Sequence, residues 1–112
     1  VYEIRNDLGE TSDLLVRNQA LGQSLAKTLA SGTVALMRGH GSVTVGQSIK
    51  QAVFRAIYTE NSARLQLEAA RLGEINFLTD GEAQATSDMN DLHLDRPWEM
   101  WKRRVSSNNL HA

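Results

Sequence analysis

Apolar positions recur along the chain at two spacings, close to every second residue in short stretches and close to 3.6 in longer ones, and each change of spacing marks a boundary. Residues 1–5, VYEIR, carry a short apolar and β-branched pattern that predicts a strand. NDLGE then supplies Asn, Asp and Gly, which end a strand and turn the backbone. DLLVRN reads as a second brief extended piece. Asn18 stands as an N-cap for QALGQSLAKTLAS, where Leu21, Leu25 and Leu29 recur every fourth residue and predict a helix with one buried stripe, closed by Gly32. TVALMR is short, apolar and β-capable, as a strand buried on both faces would be. GHG interrupts it, and SVTV resumes with Val43 and Val45 alternating against Ser42 and Thr44, so two strand segments with a sharp feature between them are expected.

Gly46 ends the second segment, and Ser48 with Gln51 forms S-x-x-Q, a capping box at the start of a helix. Ile49, Ala52, Val53, Ala56, Ala63, Leu67 and Ala70 keep the helical period, and Gly73 stands at the C-terminal cap, which predicts one long amphipathic helix over residues 49–72. INFL reads as an edge strand, whereas TDGEAQATSDMNDLHLD is polar and shows no clear period. Pro97 sits where a first helical residue belongs, and Trp98, Trp101 and Val105 then share one face of a short docking helix. Residues 106–112, SSNNLHA, read as a frayed tail.

Composition narrows the possibilities. With 112 residues and 41% hydrophobic content, a single modest domain with a core is the upper bound. A formal net charge of -1 lacks the basic surplus that binding a phosphate backbone requires, so nucleic acid is not an expected partner. The absence of cysteine removes disulfides and thiolate metal sites and suits a reducing compartment. No apolar run approaches the roughly 18 residues of a membrane span, and no leader pattern opens the chain. A cytoplasmic protein without membrane contact is expected. The chain enters directly into VYEIR, which points to further sequence upstream.

Chemistry concentrates at His40, one of three histidines, set between Gly39 and Gly41. Flanking glycines permit positive φ or the close approach of another group to the imidazole. Two readings stay open on the residues alone: a hydrogen-bonded structural histidine, or a metal ligand held stiffly at a strand end. One histidine does not make a catalytic metal site, which uses about three protein ligands. His93 and His111 lack partners at helical spacing and read as exposed residues without a task. If the strand alternates to its end, Arg38 shares a side with His40 and meets either a substrate carboxylate or an internal salt-bridge or subunit partner. Glu60 continues the apolar stripe of the long helix, either orienting a neighbouring group or marking the exposed edge of that stripe. Trp98 and Trp101 suit a hydrophobic anchor better than a stack on substrate.

From TVALMRGHG through the long helix, residues 14–73 resemble the C-terminal half of a class II aldolase/adducin-type domain: an apolar strand leading to His-Gly, a second strand ending in Gly, then a long Ala-rich helix with an internal Glu. The resemblance implies an α/β fold, three-layer α/β/α with a central, largely antiparallel sheet, of which residues 1–112 are about half, the C-terminal part. It matches His40 to the third histidine of a site for a divalent metal ion (Zn, Mn or Fe), whose H-x-H pair and acid/base carboxylate belong to the half not present. VYEIRND, LLVRN, LMRGHG and RPWEMWKRR look most like the decarboxylase branch, which acts on hydroxylated aromatic or pyridine dicarboxylates. A metal-dependent carbon–carbon lyase, inactive as this fragment alone and working as a homotetramer on a small-molecule carboxylate, is therefore implied. The alternatives are an aldolase or epimerase taking a sugar-phosphate substrate, and a non-catalytic adducin-like interaction module. Gly39, where the aldolases often have Asn, departs from their pattern.

Overall fold

Val34–Met37 (β1) and Gly41–Thr44 (β2) pair as an antiparallel hairpin in the computed structural model, which describes residues 1–109. The register sets Val34 opposite Thr44 and Met37 opposite Gly41. Alternation puts Ala35 and Met37 on one face, where Ala35 is buried, and Val34 and Leu36 on the other, where Leu36 stays 50% exposed. The strand expected to be buried on both faces is thus covered on one.

Along the outer edge of β1 runs a single residue of the N-terminus. Tyr2 N donates to Leu36 O (2.6 Å) and Arg38 N donates to Tyr2 O (3.1 Å), a parallel bridge that stops there. The strand predicted over residues 1–5 shrinks to this bridge because Ile4 already has helical φ and ψ and Arg5–Leu8 (α1) forms one helical turn. Glu3 starts that turn, its carboxylate accepting from Arg5 N at 3.0 Å. DLLVRN is not extended in a sheet either. Ser12 Oγ accepts from Leu14 N (3.0 Å) and Asp13 Oδ1 from Leu15 N (3.1 Å), so side chains take the N–H groups a ladder needs.

Gln19–Leu29 (α2) begins as expected, with Asn18 Oδ1 accepting from Leu21 N at 3.0 Å. It ends before Gly32, at Ala30, whose φ is +49°. Its apolar stripe closes the main cluster: Tyr2, Ile4 and Leu21 are buried, with Leu14, Val16, Leu25 and Met37 packed around them.

The long helix spans Ile49–Leu72 (α3), the range its period predicts. Ser48 Oγ accepts from Gln51 N (3.2 Å), but Gln51 Oε1 accepts from Gln47 N (2.8 Å) rather than closing the reciprocal box. The first half of α3 packs on the hairpin, where Arg55 Nη1 donates to Val45 O at 2.8 Å. Phe54, outside the predicted stripe, is its one buried residue. Within the stripe Ala52 and Val53 are half-buried, while Ile49 and Leu67 are exposed, as are Leu65 and Leu72 beside it.

INFL forms no strand. The edge of β1 is taken by Tyr2, and residues 74–79 lead instead from α3 into two further helices. The first of these, Asp80–Asp91 (α4), lies in the stretch without apparent period. Thr79 and Glu82 make a full capping box there, Thr79 Oγ1 accepting from Glu82 N (3.2 Å) and Glu82 Oε2 from Thr79 N (2.8 Å). The second, Asp95–Asn109 (α5), carries Pro97 in its first turn and continues into the segment read as a tail; His111 lies outside the described residues. Trp101 joins α5 to α3, its ring 6.1 Å from Phe54, which stacks on Tyr58 at 4.4 Å.

The result is a mixed helical and sheet structure around a two-stranded antiparallel sheet. Its radius of gyration is 17.0 Å, against about 13 Å for a compact chain of this length. Only Tyr2, Ile4, Leu21, Ala35 and Phe54 form the buried apolar core among the described residues, so the packing that holds the hairpin turn is local and concentrated. No helix among the described residues is long and apolar enough to cross a membrane.

Candidate functional site

Three residues, Arg38, Gly39 and His40, join β1 to β2. His40 N donates to Met37 O at 3.0 Å, and a positive φ falls on Gly39 (+71°) but not on Arg38, the signs of a type II turn with glycine where that turn demands it. A side chain at Gly39 would also meet Leu14: a Cβ there lies 3.2 Å from Leu14 Cδ1. Leu14 in turn packs on the Tyr2–Ile4–Leu21 cluster, so the turn is seated on the core through a contact that a side chain at Gly39 would crowd. Gly41, at φ +154°, lets the chain re-enter β2 in a conformation other residues avoid. The two glycines thus serve the backbone, and His40 is presented between them on the surface.

Because β1 ends at Met37, the alternation argument does not reach Arg38, which belongs to the turn. Arg38 is positioned instead by Glu3, whose carboxylate accepts from Arg38 Nε. Arg5 Nη2 donates to the same Glu3 oxygen at 2.8 Å. These two guanidinium groups, Arg5 first and Arg38 second, hold the Glu3 carboxyl down at about 2. The ion-pair partner expected as one alternative for Arg38 is therefore present, 35 residues away in the chain. Its terminal Nη groups hydrogen-bond to no described residue, and the side chain is half exposed. Tyr2, buried beneath this turn, has its hydroxyl pushed above the ordinary range by burial and then by donation to Asp7 Oδ2 at 3.1 Å.

Glu60 is exposed on α3, as on the outer edge of the stripe. His93 follows α4 and is exposed too. The imidazole of His40 hydrogen-bonds to no described side chain, so it fits a metal as one donor; no group of three or more His, Cys, Asp or Glu able to hold an ion occurs among the described residues, so these do not complete a site by themselves. Sequence reasoning missed Glu3 as the group that fixes Arg38. Nothing local signals it, because the pairing exists only once the N-terminus lies along β1.

The model of the class II aldolase and adducin N-terminal domain matches residues 4–67, more than half of the chain and the segment that contains the whole hairpin. The chain belongs to this family. It is similar to decarboxylase tropJ of Talaromyces stipitatus, with 36% identity over 89% of this chain and 45% of that protein. It is also similar to two proteins named 3,4-dihydroxyphthalate decarboxylase: that of Terrabacter sp., 38% identical over 54% of this chain and 25% of the relative, and that of Arthrobacter keyseri, 28% identical over 84% and 39%. The resemblance to the decarboxylase branch is borne out by these names. The chain spans less than half the length of the curated relatives it matches.

Proposed function

We propose that this chain is part of a metal-dependent carbon–carbon lyase that decarboxylates a hydroxylated aromatic or pyridine dicarboxylate. The observation that carries the proposal is the presentation of His40: an exposed imidazole without a hydrogen-bonded side-chain partner, on a turn locked by Gly39 over Leu14, within the family-matched segment. A divalent ion such as Zn, Mn or Fe, bound by imidazole and carboxylate donors, supplies positive charge that stabilises the electron pair left when a carbon–carbon bond breaks. His40 is one donor to such an ion, and the remaining donors come from outside the described residues.

Arg38 orients the substrate. Glu3 holds Nε, which fixes the plane of the guanidinium, while the Nη groups are left to bind a carboxylate. A fixed fork loses less freedom on binding than a mobile one, so the Glu3 tether favours recognition. The relatives named as decarboxylases of a dihydroxyphthalate support an aromatic dicarboxylate as substrate. In the same reading the chain is the C-terminal part of a three-layer α/β/α domain that assembles as a cytoplasmic homotetramer. The exposed Leu65, Leu67 and Leu72 of α3 favour such an assembly.

The test uses the full-length protein. His40→Ala should remove bound metal, measured by elemental analysis, and lower CO₂ release from a hydroxypyridine dicarboxylate or 3,4-dihydroxyphthalate by roughly 100-fold or more, with the circular dichroism spectrum unchanged. Full metal content in a folded variant overturns the assignment of His40. Cleavage of a ketose phosphate alone would place the protein among the aldolases, and a folded protein with neither metal nor turnover would make it an interaction module.

A further inference from the structure

One face of α5 repeats a pattern that the hairpin chemistry does not use. Arg96, Met100, Arg103 and Arg104 stand at i, i+4, i+7 and i+8 and therefore share a face, while Trp98 lies on the opposite one and Trp101 flanks it, reaching Phe54 of α3. The arginine face, with Tyr58 of α3 and Pro97, lines a cleft of about 820 Å³, and His93 stands at its wall. That volume lies in the range of small-molecule sites, roughly 300–1,000 Å³.

Among the described residues the charges in this cleft are unanswered. No carboxylate lines it, and none of Arg96, Arg103 and Arg104 forms an ion pair among the described residues. The acids on α5 are engaged elsewhere: Asp95 with Lys50, and Glu99 with Lys102 at 2.7 Å. Three guanidinium groups on one helical face repel one another unless an anion lies between them. The walls, however, are not those of a simple anion site. The ring of Tyr58, the ring of Pro97 and the side chain of Met100 offer flat apolar surface, and a thioether contacts aromatic rings favourably.

We propose that this cleft between α3 and α5 is a binding site for a small aromatic dicarboxylate, with the arginines pairing to its carboxylates and Tyr58, Pro97 and Met100 enclosing its ring. It is separate from the hairpin turn, none of whose residues lines it, and it stands whether or not His40 holds a metal. It is a binding site and not a place of bond cleavage.

Titration calorimetry with phthalate as the probe tests this in the full-length protein carrying Arg38→Gln and His40→Ala, which silences the site proposed at the turn. Arg103→Gln should weaken phthalate binding about 10-fold, as loss of a charge-assisted hydrogen bond does, and the triple Arg96→Gln, Arg103→Gln, Arg104→Gln variant should abolish it. Met100→Glu, which sets a carboxylate among the arginines, should also abolish it and provides a second reading if the triple variant unfolds. Phthalate should still bind in the Arg38→Gln, His40→Ala background, because no residue of the turn lines the cleft. Undiminished affinity in both the triple and the Met100→Glu variants of that background overturns the proposal. So does inorganic phosphate binding as tightly as phthalate, which reduces the cleft to a general anion patch, and so does an absence of phthalate binding in the Arg38→Gln, His40→Ala background, which transfers the ligand to the turn.

Discussion

At the hairpin turn the guanidinium groups of Arg5 and Arg38 converge on Glu3, whereas along α5 Arg96, Arg103 and Arg104 meet no carboxylate among the described residues. The same side chain serves two ends. A carboxylate close by fixes the plane of an arginine and engages part of it, and its absence leaves the whole guanidinium for a ligand. The supports differ as well. The turn rests on buried Tyr2, Ile4 and Leu21 through Leu14, while the cleft lies between two helices joined by the Phe54–Trp101 contact, with Tyr58 and Met100 half exposed. Binding groups on this molecule are thus either held by the core or left open beside it.

The contrast is tested most severely by Leu21→Ala. Leu21 is buried at the centre of the N-terminal cluster, and its truncation should cost about 2–5 kcal/mol of stability in chemical denaturation. The folded fraction should keep the phthalate affinity of the α3–α5 cleft; parallel loss of both would show that the two regions are one unit. A smaller effect is expected from Gly39→Ala, about 1–2 kcal/mol, since the residue must hold φ +71° and its Cβ would press on Leu14 Cδ1 at 3.2 Å. Metal content should fall with it if the turn holds His40 in place. A variant as stable as the wild type would mean that the turn relaxes freely.

The smallest effect concerns pH. Glu3 lies at about 2 in the folded protein, below its ordinary 4.5, so its interactions stabilise the fold above the ordinary value and are lost as pH falls toward 2. Acid unfolding followed by tryptophan fluorescence should therefore be less steep in Glu3→Gln than in the wild type between about pH 4.5 and 2. Superimposable acid profiles would detach Glu3 from the stability of the turn. Because the pair is exposed to solvent, the neutral-pH difference should be small.

Much of the frame was legible in the chain. Asn18 and Ser48 cap the helices they were expected to cap, the long helix has its predicted ends, and the glycine-flanked histidine falls between two strands. Each depends on groups a few residues apart. α4 was readable but missed: its capping box, Thr79 with Glu82, is plain in the sequence, but the helix is polar all round and exposed, so hydrophobic period had nothing to report. The arginine spacing of α5 was equally visible and was passed over in favour of the tryptophans on the other side. VYEIR and INFL were misread because a strand requires a neighbouring edge, and edges are not a property of the segment.

By itself the sequence determined where the chain turns, which helices begin and end where they do, and that His40 would be flanked by residues able to bend sharply, because those outcomes are settled by hydrogen bonds and φ angles within a turn or two. Only the tertiary structure decided that Glu3 would seize Arg38, that Phe54 rather than the periodic stripe would be the buried residue of α3, and that three arginines of α5 would face Tyr58 across an open cleft. Burial and charge pairing depend on which distant surfaces meet, and no local pattern carries that information.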